Sequence, residues 1–278
     1  MDTIIGLGEA GCSIASKFAN YPQYKIYKID EGLKGYKKNG IYAMPKKKTA
    51  EEYETGCPNM KSFFKDVSGD VLFVVCGAGK IASASLRVLE NLKHCNINVL
   101  YIKPDLDFLS EPSQKREDMV RGVLQEYARS GVFEKIFIVD NKMVEAALGS
   151  VPVAGYYDAL NEYIVSVFHM INVYTHIEPI FGNRQDAVDS ARISTIGLVD
   201  LEQDEDKAFL DFDLIRQKDY FYGVNQERAQ TDGTLKKKIT ESAKKRLDEN
   251  TKVTYSVYTT QYEEDHGFCV YHTSKIQT

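Results

Sequence analysis

Apolar and polar positions in the first two-thirds of the chain switch repeatedly between two periods. Residues 3–6 form a short apolar run ending in glycine, and over 11–18 apolar positions recur at helical spacing. KIYKI at 25–29 alternates apolar residues with lysine, the period-two pattern of a strand. A Lys-, Gly- and Tyr-rich stretch follows through Lys48, with IYAM at 41–44 as a short strand, and a helix is expected over 59–66. VLFVV at 71–75 is apolar without interruption, as a central parallel strand is. Leu86, Leu89 and Leu92 mark a helix over 84–92, and NVLYIK at 98–103 the next strand. Another helix has Ser113 near its start, presents Met119, Val120, Val123, Leu124 and Tyr127 on one face, and stops at Gly131. KIFIVD at 135–140 and KMVEAAL at 142–148 add a further strand and helix. Alternation of this kind implies βαβ units and a mostly parallel sheet with helices on both faces.

The pattern changes in the last third. Residues 156–175 form the longest apolar helical stretch, apolar on more than one side, as a helix packed between two bodies is. Strands are expected over 193–201 and 220–224. A helix is expected over 233–250 with a narrow stripe of Leu235, Ile239, Ala243 and Leu247. Period-two patterning over 251–262 and 267–276 predicts a closing strand pair. The division expected is 1–155, a connecting helix over 156–178, and a smaller α+β unit over 179–278, without internal repeat or low-complexity linker.

Charge and composition narrow the function classes. A formal net charge of −5 over 278 residues argues against a surface built for nucleic acid. No apolar run is long enough to span a membrane, and the N-terminus lacks the layout of a secretory signal. The five cysteines are scattered without a C-x-x-C pair, which reads as reduced thiols in a cytoplasmic protein. The histidines lack ligand spacing, so no metal site is expected.

The candidate chemistry starts at GLGEAGC, residues 6–12. Gly6, Gly8 and Gly11 stand in a G-x-G-x-x-G frame between strand and helix. Gly6 permits the turn, Gly8 lets a phosphate approach the backbone, and Gly11 lets the helix pack on the sheet. The helix N-terminus offers N–H groups to an anion. Asp30, nineteen residues after Gly11, stands where a dinucleotide fold places its ribose-binding acid. Read alone, this predicts a dinucleotide such as NAD and an oxidoreductase. The later region, however, has no His–carboxylate or Tyr-x-x-x-Lys arrangement to supply acid–base chemistry.

Taken together, the order of parts from residue 3 to near the C-terminus resembles the tubulin/FtsZ superfamily. GLGEAGC is similar to that family's phosphate-contacting loop. CGAGK at 76–80 sits where the family carries its glycine-rich signature loop. The stretch 100–148, with its KPD turn and VDNKM at 139–143, is similar to the FtsZ strand–turn–helix–strand–turn series. YYDALNEYIVSVFHMINVY is similar to the central helix, with Asn161 at the position that hydrogen-bonds guanine. The absence of a long acidic tail makes phage and plasmid FtsZ-like proteins nearest in size.

The resemblance implies an α/β fold: a Rossmann-like parallel-sheet nucleotide-binding domain, a long central helix and a smaller α+β C-terminal domain. It also implies bound GTP or GDP, Mg accompanying GTP, and head-to-tail self-association into filaments or rings. The residues implied at the nucleotide are Gly6, Gly8, Glu9, Ala10, Gly11, Cys12, Asp30, Gly77, Ala78, Gly79, Lys80 and Asn161.

Two departures bear on activity. In CGAGKIASAS at 76–85, Gly77 and Gly79 remain, but the run of glycines and threonines does not. Side chains there obstruct the approach of phosphate to the backbone. Lys80, Ser83 and Ser85 either compensate with charge and hydroxyls or simply start a helix with serine as cap. The family's N-x-D-x-x-D after the central helix is replaced by EPIFGNRQDAVDSAR at 178–192, where Glu178, Asp186 and Asp189 lack its spacing. Positioned carboxylates orient the attacking water, so hydrolysis is expected to be slow or absent. A structural assembly protein that keeps the fold without turnover, for example in a phage particle, is the competing expectation.

Several residues admit two readings. A base or an internal group would each satisfy Asn161, and Asp30 either contacts ribose or closes a strand. Lys236, Lys237, Lys238, Lys244, Lys245 and Arg246 make a solvated face or a contact for an acidic partner. Tyr255, Tyr258, Tyr262 and Tyr271 pack within the sheet or anchor a subunit contact.

Overall fold

The uninterrupted apolar runs become the central strands of a parallel sheet, because a strand covered by helices on both faces needs apolar residues at every position. The computed structural model describes residues 1–34 and 40–278. The first half contains β1 (Thr3–Leu7), α1 (Gly8–Phe18), β2 (Lys25–Asp30), β3 (Ile41–Ala43), α2 (Ala50–Thr55) and β4 (Asp70–Cys76). After these come α3 (Ser85–Leu89), β5 (Asn96–Lys103), α4 (Glu111–Arg129), β6 (Lys135–Asp140) and α5 (Asn141–Leu148). The long helix α6 (Tyr156–Tyr174) leads to β7 (Phe181–Gly182), β8 (Ile193–Asp200), β9 (Glu205–Ala208) and β10 (Gln217–Asn225). The last elements are α7 (Gln226–Thr231), α8 (Leu235–Lys245), β11 (Lys252–Thr260) and β12 (His266–Thr273).

Among the described residues one sheet of twelve strands runs β3-β2-β1-β4-β5-β6-β8-β12-β10-β11-β7, with β9 paired to β8. Every pairing from β3 to β6 is parallel. On one face Leu7, Phe73, Val75 and Tyr101 pack against Val88 of α3 and Val120, Leu124 and Ala128 of α4. On the other, Ile4, Leu72, Val74 and Leu100 pack against Ile14 and Phe18 of α1 and Leu160, Ile164 and Phe168 of α6. The second cluster continues to Phe221, Tyr258, Phe268 and Val270, so α6 covers both halves of the sheet. A third cluster packs Leu235, Ile239 and Ala243 of α8 against Tyr220, Tyr222 and Val224.

Four expectations are corrected. Residues 59–66 form turns, not a helix. Their apolar spacing comes from Met60 and Phe64, both buried, with the Phe63 and Phe64 N–H groups returning to the Met60 carbonyl. The helix in this region is α2, capped by the Thr49 hydroxyl on the Glu52 N–H. On α4, Met119, Val123 and Tyr127 are exposed, and the buried face is Glu117, Val120, Arg121, Leu124, Gln125 and Ala128. Its polar members pair internally, although Glu117 Oε2 is left without a partner among the described residues: Arg121 Nε meets Glu117 Oε1 at 2.9 Å, and Arg121 and Gln125 both donate to the Gln277 carbonyl. Leu247 lies beyond the end of α8 and is 55% exposed. Finally, β11 and β12 do not pair. β11 runs parallel to β10 while β12 is antiparallel to both β10 and β8, so β10 separates the two. The helices between β10 and β11 make that pair a βαβ unit, which places its strands in parallel. Of the four tyrosines, Tyr258 and Tyr271 are buried, Tyr255 is half-buried and Tyr262 is 59% exposed. The Lys-, Gly- and Tyr-rich stretch through Lys48 includes 35–39, outside the described residues.

A polar row crosses the second half-sheet beneath this packing. Ser194 Oγ lies 2.8 Å from His272 Nδ1, and His272 Nε2 lies 3.0 Å from Asp219. A neutral imidazole satisfies both, accepting from Ser194 and donating to Asp219. Ser194 has no exposed surface, so this Ser–His–Asp series reaches no substrate and is structural. Burial pushes His272 below the usual imidazole range. Burial also acts to raise Asp219, but donors from His272, Thr254 and Gln217 outweigh it and hold the carboxylate below its usual range. Burial lowers His169 and His266 as well. The unfolded chain therefore takes up these imidazole protons first, and stability present above about pH 6.5 is lost as pH falls below it. Urea midpoints should be lower at about pH 5.5 than at about pH 7.5, and His272→Gln should flatten part of that slope. A midpoint independent of pH in this window would refute the assignment.

Candidate functional site

The strand order reverses at β1. The chain passes from β1 to β2 on one side and returns beyond β1 to β4 on the other. The connections leaving the carboxyl ends of β1 and β4 therefore diverge to opposite faces, and the crevice between two such connections is the usual place for a ligand in these sheets.

The first wall is the β1–α1 turn. A Cβ on Gly6 would overlap the Gly11 carbonyl, and one on Gly11 would overlap the Val74 carbonyl, so both glycines allow α1 to lie directly on β1 and β4. Gly8 has φ +74°, a left-handed conformation suited to glycine. No side chain caps α1, and exposed Glu9 and half-buried Ala10 occupy its first turn. Cys12 turns back onto the strand ends, its Sγ donating to the carbonyls of Gly6 (3.4 Å) and Ile29 (3.6 Å). Burial, reinforced by the nearby Asp30 charge, pushes this thiol up to about 12. Asp30 is half-buried at the end of β2, and burial raises its carboxyl above the usual range.

The second wall follows β4. A Cβ on Gly77 would overlap the Tyr101 hydroxyl, which donates to the buried Glu117 carboxylate at 3.0 Å. Arg116 Nη1 donates to the Ala78 carbonyl at 2.5 Å. Beyond exposed Gly79 the chain enters a 3-10 turn over Lys80–Ala84, and the Ser85 hydroxyl donates to the Ala82 carbonyl at 2.6 Å. Lys80 Nζ donates to the Lys48 carbonyl at 2.8 Å. The γ2 methyl of Ile81 stands 2.9 Å from where a Gly8 Cβ would be, so it lies against the open side of that glycine.

Ten of the twelve implied residues line these two walls or the adjoining turn of α1, and Asp30 adjoins them at the end of β2. Asn161 stands on α6, apart from these three segments in sequence. It is buried, its Nδ2 donating to Ser13 of α1 at 3.1 Å. Lys17 of α1 further ties α6 through Asp158 at 2.8 Å. Sequence reasoning missed Ile81, Arg116 and Tyr101. The first was visible as a branched apolar residue inside an expected glycine loop; the other two come from elements distant in sequence and carry no local signal.

Glu178, Asp186 and Asp189 are all exposed, beyond the far end of α6. That end is fixed at the amino edge of the sheet, where Asn172 Oδ1 accepts from the Met1 ammonium at 3.1 Å. At ~1.5 Å per residue the 19-residue helix is about 28 Å long, and these acids follow its far end.

No protein-family model matches the chain, and neither does any curated protein sequence. Solved structures do. The chain is similar to a GTPγS-form protofilament of TubZ from Bacillus thuringiensis serovar israelensis, with a TM-score of 0.73 and 14% identity, over 98% of this chain and 86% of that one. It is similar to an empty FtsZ dimer from M. jannaschii at TM-score 0.69 and 13% identity, over 98% and 88% of the two chains. A helical model of the TubZ-Bt two-stranded filament gives TM-score 0.66 and 15% identity, over 98% and 84%. Similarity at this coverage and this low identity is similarity of architecture: the chain has the tubulin/FtsZ-like fold.

Proposed function

We propose that the chain is a cytoplasmic protein that self-associates head to tail, takes GTP or GDP at the β1–α1 turn, and hydrolyses it slowly or not at all. The supporting observation is that the glycine turns lie at the carboxyl ends of the strands while the 178–189 acids follow the far end of α6 at the amino edge, so that a second copy stacked head to tail would bring the two together. Heterologous contacts of this kind build filaments or rings. Two of the solved TubZ structures it resembles are a protofilament and a two-stranded filament.

The residues fit a nucleotide unevenly. The first wall suits a phosphate, with glycine at positive φ beside an uncapped helix start. The second does not, since Lys80 is engaged with Lys48 and Ile81 faces Gly8. Slow hydrolysis follows from exposed acids without the required spacing. The contact of Ile81 with Gly8 also favours a second reading, a structural assembly protein that polymerises without nucleotide.

Sedimentation with GTP, with GDP and without nucleotide, while following phosphate release, tests both readings. The expected result is nucleotide-dependent pelleting with phosphate release near background. Pelleting that ignores nucleotide selects the second reading, and a chain that never pellets overturns self-association.

A further inference from the structure

We infer that Ile81 is a wedge that holds the crevice between the two walls closed, so that nucleotide affinity is set by the cost of displacing one side chain. This rests on the reading that the β1–α1 turn carries the nucleotide.

The second glycine of a G-x-G-x-x-G turn leaves room for a phosphate to approach the backbone. Here that room is taken. The Ile81 γ2 methyl stands 2.9 Å from the Gly8 Cβ position, while the same methyl is 3.9 Å from that of Gly79. The side chain therefore bridges the two walls, closer to the first.

Three features keep it there. Ile81 is half-buried and packs on the edge of the first core cluster. Its β-branch, within a helical turn, restricts rotation about χ1. The segment leading into it is anchored twice: Arg116 holds the Ala78 carbonyl, and Lys80 reaches away to the Lys48 carbonyl. The Lys80 ammonium is thus turned from the crevice, and what faces Gly8 is hydrocarbon. A phosphate approaching the Gly8 backbone now meets that hydrocarbon, which offers no partner in return for the water lost, a costly exchange. Opening requires Ile81 to leave its apolar seat, and the binding energy of the ligand must offset that.

Titration of the full chain with N-methylanthraniloyl-GDP, followed by fluorescence, tests the wedge. Ile81→Ala should bind at least about tenfold more tightly than the parent chain. Ile81→Val, which keeps the γ2 methyl, should gain far less. Arg116→Ala, on a half-exposed residue, should loosen the second wall and give a smaller gain of about threefold. That variant keeps the test usable if Ile81→Ala unfolds, as its thermal melt would reveal. Equal affinities for the parent chain, Ile81→Ala and Arg116→Ala would overturn the wedge and leave the nucleotide reading intact. Equal gains in the alanine and valine variants at position 81 would remove the role of the γ2 methyl. Failure of every variant to bind would overturn both the wedge and the nucleotide reading.

Discussion

Replacing Arg246 by alanine should lower the stability of the chain by about 3–5 kcal/mol, the range for breaking a buried ion pair from one side. The side chain of Arg246 is 8% exposed and pairs with Asp204 at 2.7 Å and Asp206 at 2.9 Å. Its guanidinium lies 5.1 Å from the centre of the Tyr220 ring, and it also donates to the Ser242 carbonyl. Asp206 accepts in addition from the hydroxyls of Tyr220 and Tyr271. Removing the cation leaves Asp204 to Lys245 alone, at 3.0 Å, and leaves Asp206, its side chain only 13% exposed, with no cation beside it among the described residues. The loss should appear as a lower urea midpoint with an unchanged slope. Arg246→Lys should recover part of it, since an ammonium cannot span both carboxylates and stack on the ring. A loss below about 1 kcal/mol would mean that the pair behaves as an exposed one.

Gly11→Ala should cost about 3 kcal/mol or more, at the upper end of overpacking penalties. The new methyl would overlap the Val74 carbonyl, and neither party is a flexible side chain that can swing aside. Relief requires α1 to lift from β4, taking the Gly8 turn with it. Gly122 provides the internal contrast. It lies in α4 with nothing within 4 Å of its Cβ position, so Gly122→Ala should stabilise by about 0.5–1 kcal/mol. Thermal denaturation of the two variants side by side would show opposite shifts. Similar small shifts would mean that α1 is not seated on β4 as described.

These two predictions differ in how visible their causes are in the sequence. Gly11 announced itself, because the demand for close packing after β1 is local and has a fixed spacing. The strands β1, β4, β5 and β6 were legible for a similar reason: apolar runs bounded by turn residues follow from burial on both faces. Arg246 was legible only as one of several bases on a helix, since its partners lie some forty residues earlier, Asp204 just before and Asp206 within a short strand, β9, that sequence reading missed. The buried face of α4 was misjudged because Glu117, Arg121 and Gln125 are buried by partners that periodicity cannot supply. The candidate site shows the same division. Its glycines could be read directly, but their meaning depends on Ile81, whose contact with Gly8 spans more than seventy residues of chain.

The position of β12 carries a consequence for how the molecule is made. Residues 266–273 follow every other strand in sequence, yet in space they lie between β8 and β10. During synthesis, β8 and β10 emerge with no partner between them, and the parallel pair β10–β11 can form only as a detached piece. The second half of the sheet closes in one late insertion, after the first half has had all its strands for more than a hundred residues. Until then two apolar strand edges stand open, the condition under which a nascent chain pairs with the wrong neighbour. Ribosome-associated folding of this protein should therefore be two-phased, with the vulnerable interval falling just before β12 leaves the exit tunnel.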